Sequence, residues 1–507
     1  VDRLSKITKA ELVAFANKYL QNNYVAVYKR KGEDKNIVKV DKPSITPVET
    51  NSNQQSPFVK TVNAMPATSA KPVWVNYSKD LQKSKIGAAR VLYVQNKANS
   101  IFRMSYRFDI GTWNDKKMSI AAQYLSFLGT DKKSAEEITK EFYKIACSFN
   151  ISAGAEYTTV SIEGLQENFN QAVTLFENLL ANCRADDAAL TALKARITKA
   201  RTDAKANKGS IMNGLTAYAR YGAKNPFNTA LSNDELQNIT SSELVEKLQH
   251  LNNYTHQVLY YGPLPLTALT ASLKKLHKMP ASFTPAPHKA VFIPIQQTSN
   301  KVLFANYKMV QAETRWIKNN EQFDAGETPI IDVFNNYFGG GMGAVVFQTI
   351  RESKALAYST FAYYLTPEKK EDPFFTLAYV GSQADKFNEA TTAMNELLNN
   401  LPEIQSNIDF AKASVKKDIE TQRITQDAII SNFLDAEQKG LSEDIRIKKY
   451  AAIDKISFAD LKAFHGKRLA NKAYTYAIVA SEANVKKEDL EKLGELKQLS
   501  LEEIFGY

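Results

Sequence analysis

ITSSELVEKLQHLNNYTHQVLYYG, residues 239–262, opens as a helix and closes as a strand. Thr240 and Glu243 stand three apart, the spacing at which a hydroxyl and a carboxylate cap a helix start reciprocally. Apolar residues then follow at helical spacing and give way to a β-rich run. The phrase occurs twice more, as ITKAELVAFANKYLQNNYVAVYK from Ile7 and ISFADLKAFHGKRLANKAYTYAIVA from Ile456, with Thr8/Glu11 and Ser457/Asp460 in the capping positions. A second phrase also recurs, ENFNQAVTLFENLLAN at 167–182 and DKFNEATTAMNELLNN at 385–400. Each copy follows a predicted strand, VSIEGL or FTLAYVG, as an amphipathic helix packed on a sheet would.

The intervals fix the unit. Ile239 and Ile456 are 217 residues apart, and Phe169 and Phe387 are 218 apart. Two independent markers with nearly one period indicate a duplicated domain of roughly 220 residues. The copy at 7–29 leaves no room for such a domain before it, so residues 1–30 read as the carboxy-terminal end of a preceding domain. Residues 31–75, rich in Pro, Ser, Asn and Thr, have linker composition. Complete domains are then expected at 76–285 and 286–507. In the first, RVLYVQ and IFRMSYRFDIGTW read as strands, MSIAAQYLSFLGT as a helix, and NISAGAEY and TTVSIEGL as further strands. The second repeats this order, with strands at 290–294 and 302–310 and a hairpin through TPEKKED. The fold class is therefore α+β: two similar domains, each a mixed sheet with helices on one face.

Of the 507 residues 44% are apolar, enough for packed cores, and the length exceeds what one core supports. Formal net charge is +11, but the 65 basic and 54 acidic residues are interleaved and form no stripe suited to nucleic acid. No apolar run approaches the roughly 18 residues that cross a membrane. Cys147 and Cys183 lack the spacing of a zinc or redox motif and read as unpaired thiols.

Catalytic clusters are missing from the sequence. Of the five histidines, His250 and His256 are nearest neighbours, six apart, which is not a helical metal spacing, and all five read as solvated loop and helix-end residues. The stretch YFGGGMGAVVFQTIRESKALAYS, residues 337–359, has a glycine-rich turn that could cradle phosphate, yet no lysine follows it. Its other reading is a loop needing positive φ or close backbone approach. Arg351 ends the helix after this turn and Tyr358 begins a strand. The pair could hold a peptide carbonyl or a developing oxyanion; equally, a satisfied Tyr and an Arg at a helix end would look the same. A uniform period of 218 maps them to Lys133 and Lys140, so the pair is not a framework feature.

With these residues in view, the chain resembles the insulinase-like (pitrilysin) zinc metallopeptidases, the inverzincins, built from four such domains in two halves that enclose a chamber. The resemblance covers essentially the whole chain and implies that it is the carboxy-terminal, non-catalytic half. In that family a first domain carries H-x-x-E-H and a distal glutamate, while a fourth carries a glycine-rich turn and an Arg and Tyr seven apart. GGGMGAVVFQTIRESKALAYS matches the latter, which implies that Arg351 and Tyr358 bind substrate. At the position of H-x-x-E-H this chain reads Ile120, Ala121, Ala122, Gln123 and Tyr124, and the downstream helix LTALKARITKARTDAKANKG offers no distal Glu. The resemblance therefore implies no metal in this chain, zinc in the missing catalytic half, an amino-terminal half of the same protein or a partner subunit as partner, peptides as substrates, and a bacterial periplasmic or envelope location. A proteolytically inactive binding or scaffold member of the family is the alternative.

Overall fold

The computed structural model describes residues 3–30, 32, 54–66 and 70–507, in two units, 1–46 and 47–507. In the first unit, Thr8 and Glu11 close the capping box and start a helix over Lys9–Tyr19. None of its described side chains is buried; Leu12, Phe15 and Tyr19 are all at least half exposed. The β-rich run at 24–28 forms no strand, and no described segment pairs with it.

Most of the expected linker, 31–75, lies outside the described residues. Its described part departs from expectation. Ser56 caps a helix over Pro57–Asn63, with Pro57 in the first turn where its missing N–H costs nothing. Residues 73–75 are anchored rather than loose: the buried Asp444 carboxylate accepts from Val75 N at 3.1 Å, and Arg446 donates to Val73 O at 3.0 Å.

The described residues of the second unit hold twelve strands: β1 Gln82–Ile86, β2 Ala89–Gln95, β3 Ile101–Phe108, β4 Cys147–Ala153, β5 Thr158–Leu165, β6 His256–Gly262, β7 Lys301–Asn306, β8 Gln311–Gln322, β9 Ala357–Leu365, β10 Pro373–Gln383, β11 Thr475–Ala480 and β12 Glu495–Gln498. They form two six-stranded mixed sheets, ordered β1-β2-β6-β3-β5-β4 and β12-β7-β11-β8-β10-β9. Five strands correspond one to one. In each sheet the strand closing the recurring phrase, β6 or β11, lies parallel to β2 or β7 and antiparallel to β3 or β8. The sixth strand differs: β1 comes from before β2 and runs antiparallel to it, whereas β12 comes from the chain end and runs parallel to β7. The expected strand at 290–294 is not in either sheet; Ala290 N donates instead to Trp113 O, and Ile295 N to Arg220 O.

Alternation decides what each face meets. Phe102, Met104 and Tyr106 of the first sheet are buried against its own helices, Phe169–Asn182 among them. Trp316, Tyr476 and Ile478 do the same in the second sheet with the helix Phe387–Asn399. The opposite faces are covered reciprocally. Leu92 and Val94 of the first sheet pack on Ile429, Ile430, Phe433 and Leu434 of the helix Ile429–Gln438. Leu303, Ile317 and Val479 of the second pack on Ile211, Met212 and Leu215 of the helix Lys208–Tyr221. These two helices occupy equivalent places in the repeat, so each module closes the other.

Candidate functional site

The glycine turn follows the helix Thr328–Phe338. Gly339 lies so close to the backbone of Ala362 in β9 that a Cβ would collide with its carbonyl, and Gly341 has φ +94°. Both halves of the conformational reading therefore hold, and the turn brings the helix end onto β9. Beyond it, Phe347–Ser353 is a π-helix, with Lys354 N bonded to Thr349 O at 3.1 Å. Leu356 N then reaches back to Ile350 O at 2.9 Å while Ala355 takes φ +49°. That closure turns the chain sharply from helix into edge strand.

Arg351 sits in the π-helix and Tyr358 in β9, as the sequence suggested. Tyr358 is the extra residue of a β-bulge, since Ser359 pairs with Gly381 and Ala357 with Ser382. A bulge re-aims the side chain it carries, and Tyr358 is 82% exposed. The Arg351 guanidinium lies 5.3 Å from the centre of the Tyr358 ring and 4.7 Å from that of Phe347, with Glu352 Oε1 3.5 Å from its Nε. Sandwiched between rings and only loosely paired, it keeps donors free for an acceptor beside the phenol. β9 is an edge strand, and its far part is covered: Asn335 accepts from Tyr364 N at 2.9 Å and donates to Tyr364 O at 3.0 Å, and Gly339 lies against Ala362.

The uniform period misplaced the counterpart of this pair. Ala146, φ +48°, precedes β4 just as Ala355 precedes Leu356 and β9, so Tyr358 corresponds to the start of β4 rather than to Lys140, and Arg351 to the preceding helix Ala135–Lys144 rather than to Lys133. The β9–β10 connection, 366–372, is longer than the β4–β5 connection, 154–157, which accounts for part of the drift.

The helix Met118–Leu125 carries Ile120, Ala121, Ala122 and Tyr124 buried in the core. Tyr124 Oη donates to Asp186 O at 2.7 Å, and Gln123 Nε2 donates to Ser119 O at 3.1 Å. Isoleucine supplies no ligand atom, and the tyrosine oxygen is already engaged. These residues do not fit a zinc ion. Among the described residues no group of three or more His, Cys, Asp or Glu side chains could hold a metal.

Three histidines are not solvated. His256, His277 and His465 are each 3% exposed. His256 Nδ1 donates to Tyr254 O at 2.7 Å, so its Nε2 accepts from His277 Nε2, 2.8 Å away; His277 Nδ1 faces Glu177 Oε1 at 2.6 Å, and Tyr106 stacks on the His277 ring. Sequence could not show this cluster, because its members come from four separate elements. Cys147 and Cys183 are free and buried, and burial pushes the Cys183 thiol up to about 11.

Two family profiles match the chain: that of the insulinases, peptidase family M16, over residues 108–230, and that of the peptidase M16 inactive domain over 233–415. An uncharacterised zinc protease of Bacillus subtilis, YmxG, is 25% identical over 284 residues, covering 54% of this chain and 66% of YmxG. The peptidase M16 inactive domain from Pseudomonas fluorescens superposes with a TM-score of 0.63 at 16% identity, over 80% of this chain and all of that one. The periplasmic protease PqqL of Escherichia coli superposes with a TM-score of 0.61 at 12% identity, over 94% of this chain but 51% of its own, so the present chain spans about half of that relative. The repeated sheets, the reciprocal helices and two profiles that succeed one another along the sequence agree: the chain belongs to the insulinase-like peptidases of family M16.

Proposed function

We propose that this chain is the metal-free, substrate-binding half of a zinc endopeptidase or oligopeptidase, whose other half supplies the zinc and the general base and closes with it around peptides. In this reading residues 1–30 end a second domain of pitrilysin type, 31–75 link the halves, and 76–285 and 286–507 are the third and fourth domains. The convergence of Arg351 and Tyr358 at a bulged edge strand carries the proposal. A carbonyl oxygen of the substrate accepts from the guanidinium and the phenol together, which fixes the peptide's orientation before chemistry. The helix Met118–Leu125, being unfit for zinc, supports assignment of the metal to the other half. The periplasmic description of PqqL supports a periplasmic or envelope location.

In the complete enzyme, Tyr358→Phe is expected to lower turnover by about tenfold or more, the range of a lost transition-state donor, with zinc content unchanged. Wild-type turnover would remove Tyr358 from the mechanism. Metal-dependent cleavage by the 507-residue chain alone would overturn the reading, and an inactive complete protein would favour a binding or scaffold role.

A further inference from the structure

We propose that the free edge of β4, with the cleft beside it, is a second binding site, and that it takes an extended polypeptide segment bearing a carboxylate. β4 pairs only with β5, so alternate amides and carbonyls along it point away from the sheet, and no described residue hydrogen-bonds to them. Exposed sheet edges are ordinarily guarded by lysine, proline or inward charge. Cys147–Ala153 reads CSFNISA and has none of these; its outward side chains Ser148, Asn150 and Ser152 are small, polar and exposed. Only another extended backbone matches such a ladder, whose repeat is about 6.8 Å per two residues.

A cleft of about 460 Å³ runs along this edge, lined by Gln123, Phe142, Tyr143, Phe149 and Arg196 among others. It offers a place for the alternate side chains of an added strand. Tyr143, 84% exposed, stands on its rim. The charge comes from Arg196, whose guanidinium lies 5.4 Å from the Phe127 ring centre and donates to Gln123 Oε1 at 3.3 Å. Among the described residues no carboxylate forms an ion pair with it, so the positive charge is left for a ligand. The corner that presents β4, a helix ending in a left-handed alanine before an edge strand, is the one that presents β9. The two sites are nevertheless separate, and this one does not rest on Arg351 or Tyr358.

Fluorescence anisotropy of the 507-residue chain tests the site, using a labelled heptapeptide of serine, threonine and valine with one central aspartate and its counterpart with lysine there. The aspartate peptide is expected to bind about fivefold or more tightly than the lysine peptide, the preference shrinking with added salt. Arg196→Gln should equalise the two and Arg196→Glu should invert them. Hydrogen exchange at saturation should slow across 148–152. Absence of binding up to about 1 mM, an unaltered preference in both Arg196 variants, or protection confined to 357–365 would each overturn the proposal.

Discussion

Ala355 shows how one residue places a site. An L-residue in the left-handed region is disfavoured by roughly 1–2 kcal/mol, yet Ala355 adopts φ +49° because the corner into β9 requires it. Ala355→Gly should relieve that cost and raise stability by up to about 1 kcal/mol, read as a higher urea midpoint at unchanged m-value. Ala355→Val should lower it and, by loosening the corner, weaken the Arg351–Tyr358 convergence. His256 makes a pH prediction. Burial among His277, Tyr106, Phe108 and Phe283, partly offset by its bond to the Tyr254 carbonyl, pushes it down to about 4. The unfolded chain then binds the proton first as pH falls below the ordinary value of 6.5. Its contribution is full above about pH 6.5 and is lost toward pH 4, with a slope of up to about 1.4 kcal/mol per pH unit. Denaturant titrations of wild type and His256→Gln should diverge in that window and run parallel above it.

Among the elements, the exchanged helices carry the most weight. Leu215, fully buried, belongs to the first module but packs on the second sheet. Leu215→Ala should cost about 2–5 kcal/mol, and exchange protection should fall in β7 and β11 as well as in the helix Lys208–Tyr221. A loss confined to the first module would mean that the reciprocal cover is not cooperative. The starts of other helices were readable: Thr8, Thr240 and Ser457 cap where the sequence places them. The sixth strands were not, because β1 and β12 are short and their pairing is decided by which edge each can reach, something no local pattern encodes. The run 290–294 shows the converse, a β-like pattern that joins neither sheet, its Ala290 N donating instead to the loop carbonyl of Trp113.

For the molecule as a whole, the modules are also tied through charge. Glu156, in the β4–β5 turn, is bonded by Lys289 and by Lys369 of the β9–β10 turn. Burial alone would raise its pKa, but the two ammonium groups outweigh it and hold the carboxylate below its ordinary value. Its contribution is therefore present above the usual carboxylate range and lost as pH falls through the depressed folded value. Glu156→Gln should reduce stability at neutral pH and shorten the acid limb of the unfolding curve, checked by calorimetry between neutral pH and about pH 3.

The sequence by itself determined that a unit of roughly 220 residues recurs, that it alternates strands and helices, and that Ile120 to Tyr124 cannot supply a zinc site. Periodicity, capping and ligand chemistry are local properties, written residue by residue. Only the tertiary structure decided that each repeat lends a helix to the other, that three histidines are buried, that a bulge turns Tyr358 outward over Arg351, and that β4 is left unpaired at its outer edge by the described residues. Those outcomes depend on contacts between segments up to hundreds of residues apart, and on the unequal hairpins that make one period fail along the chain.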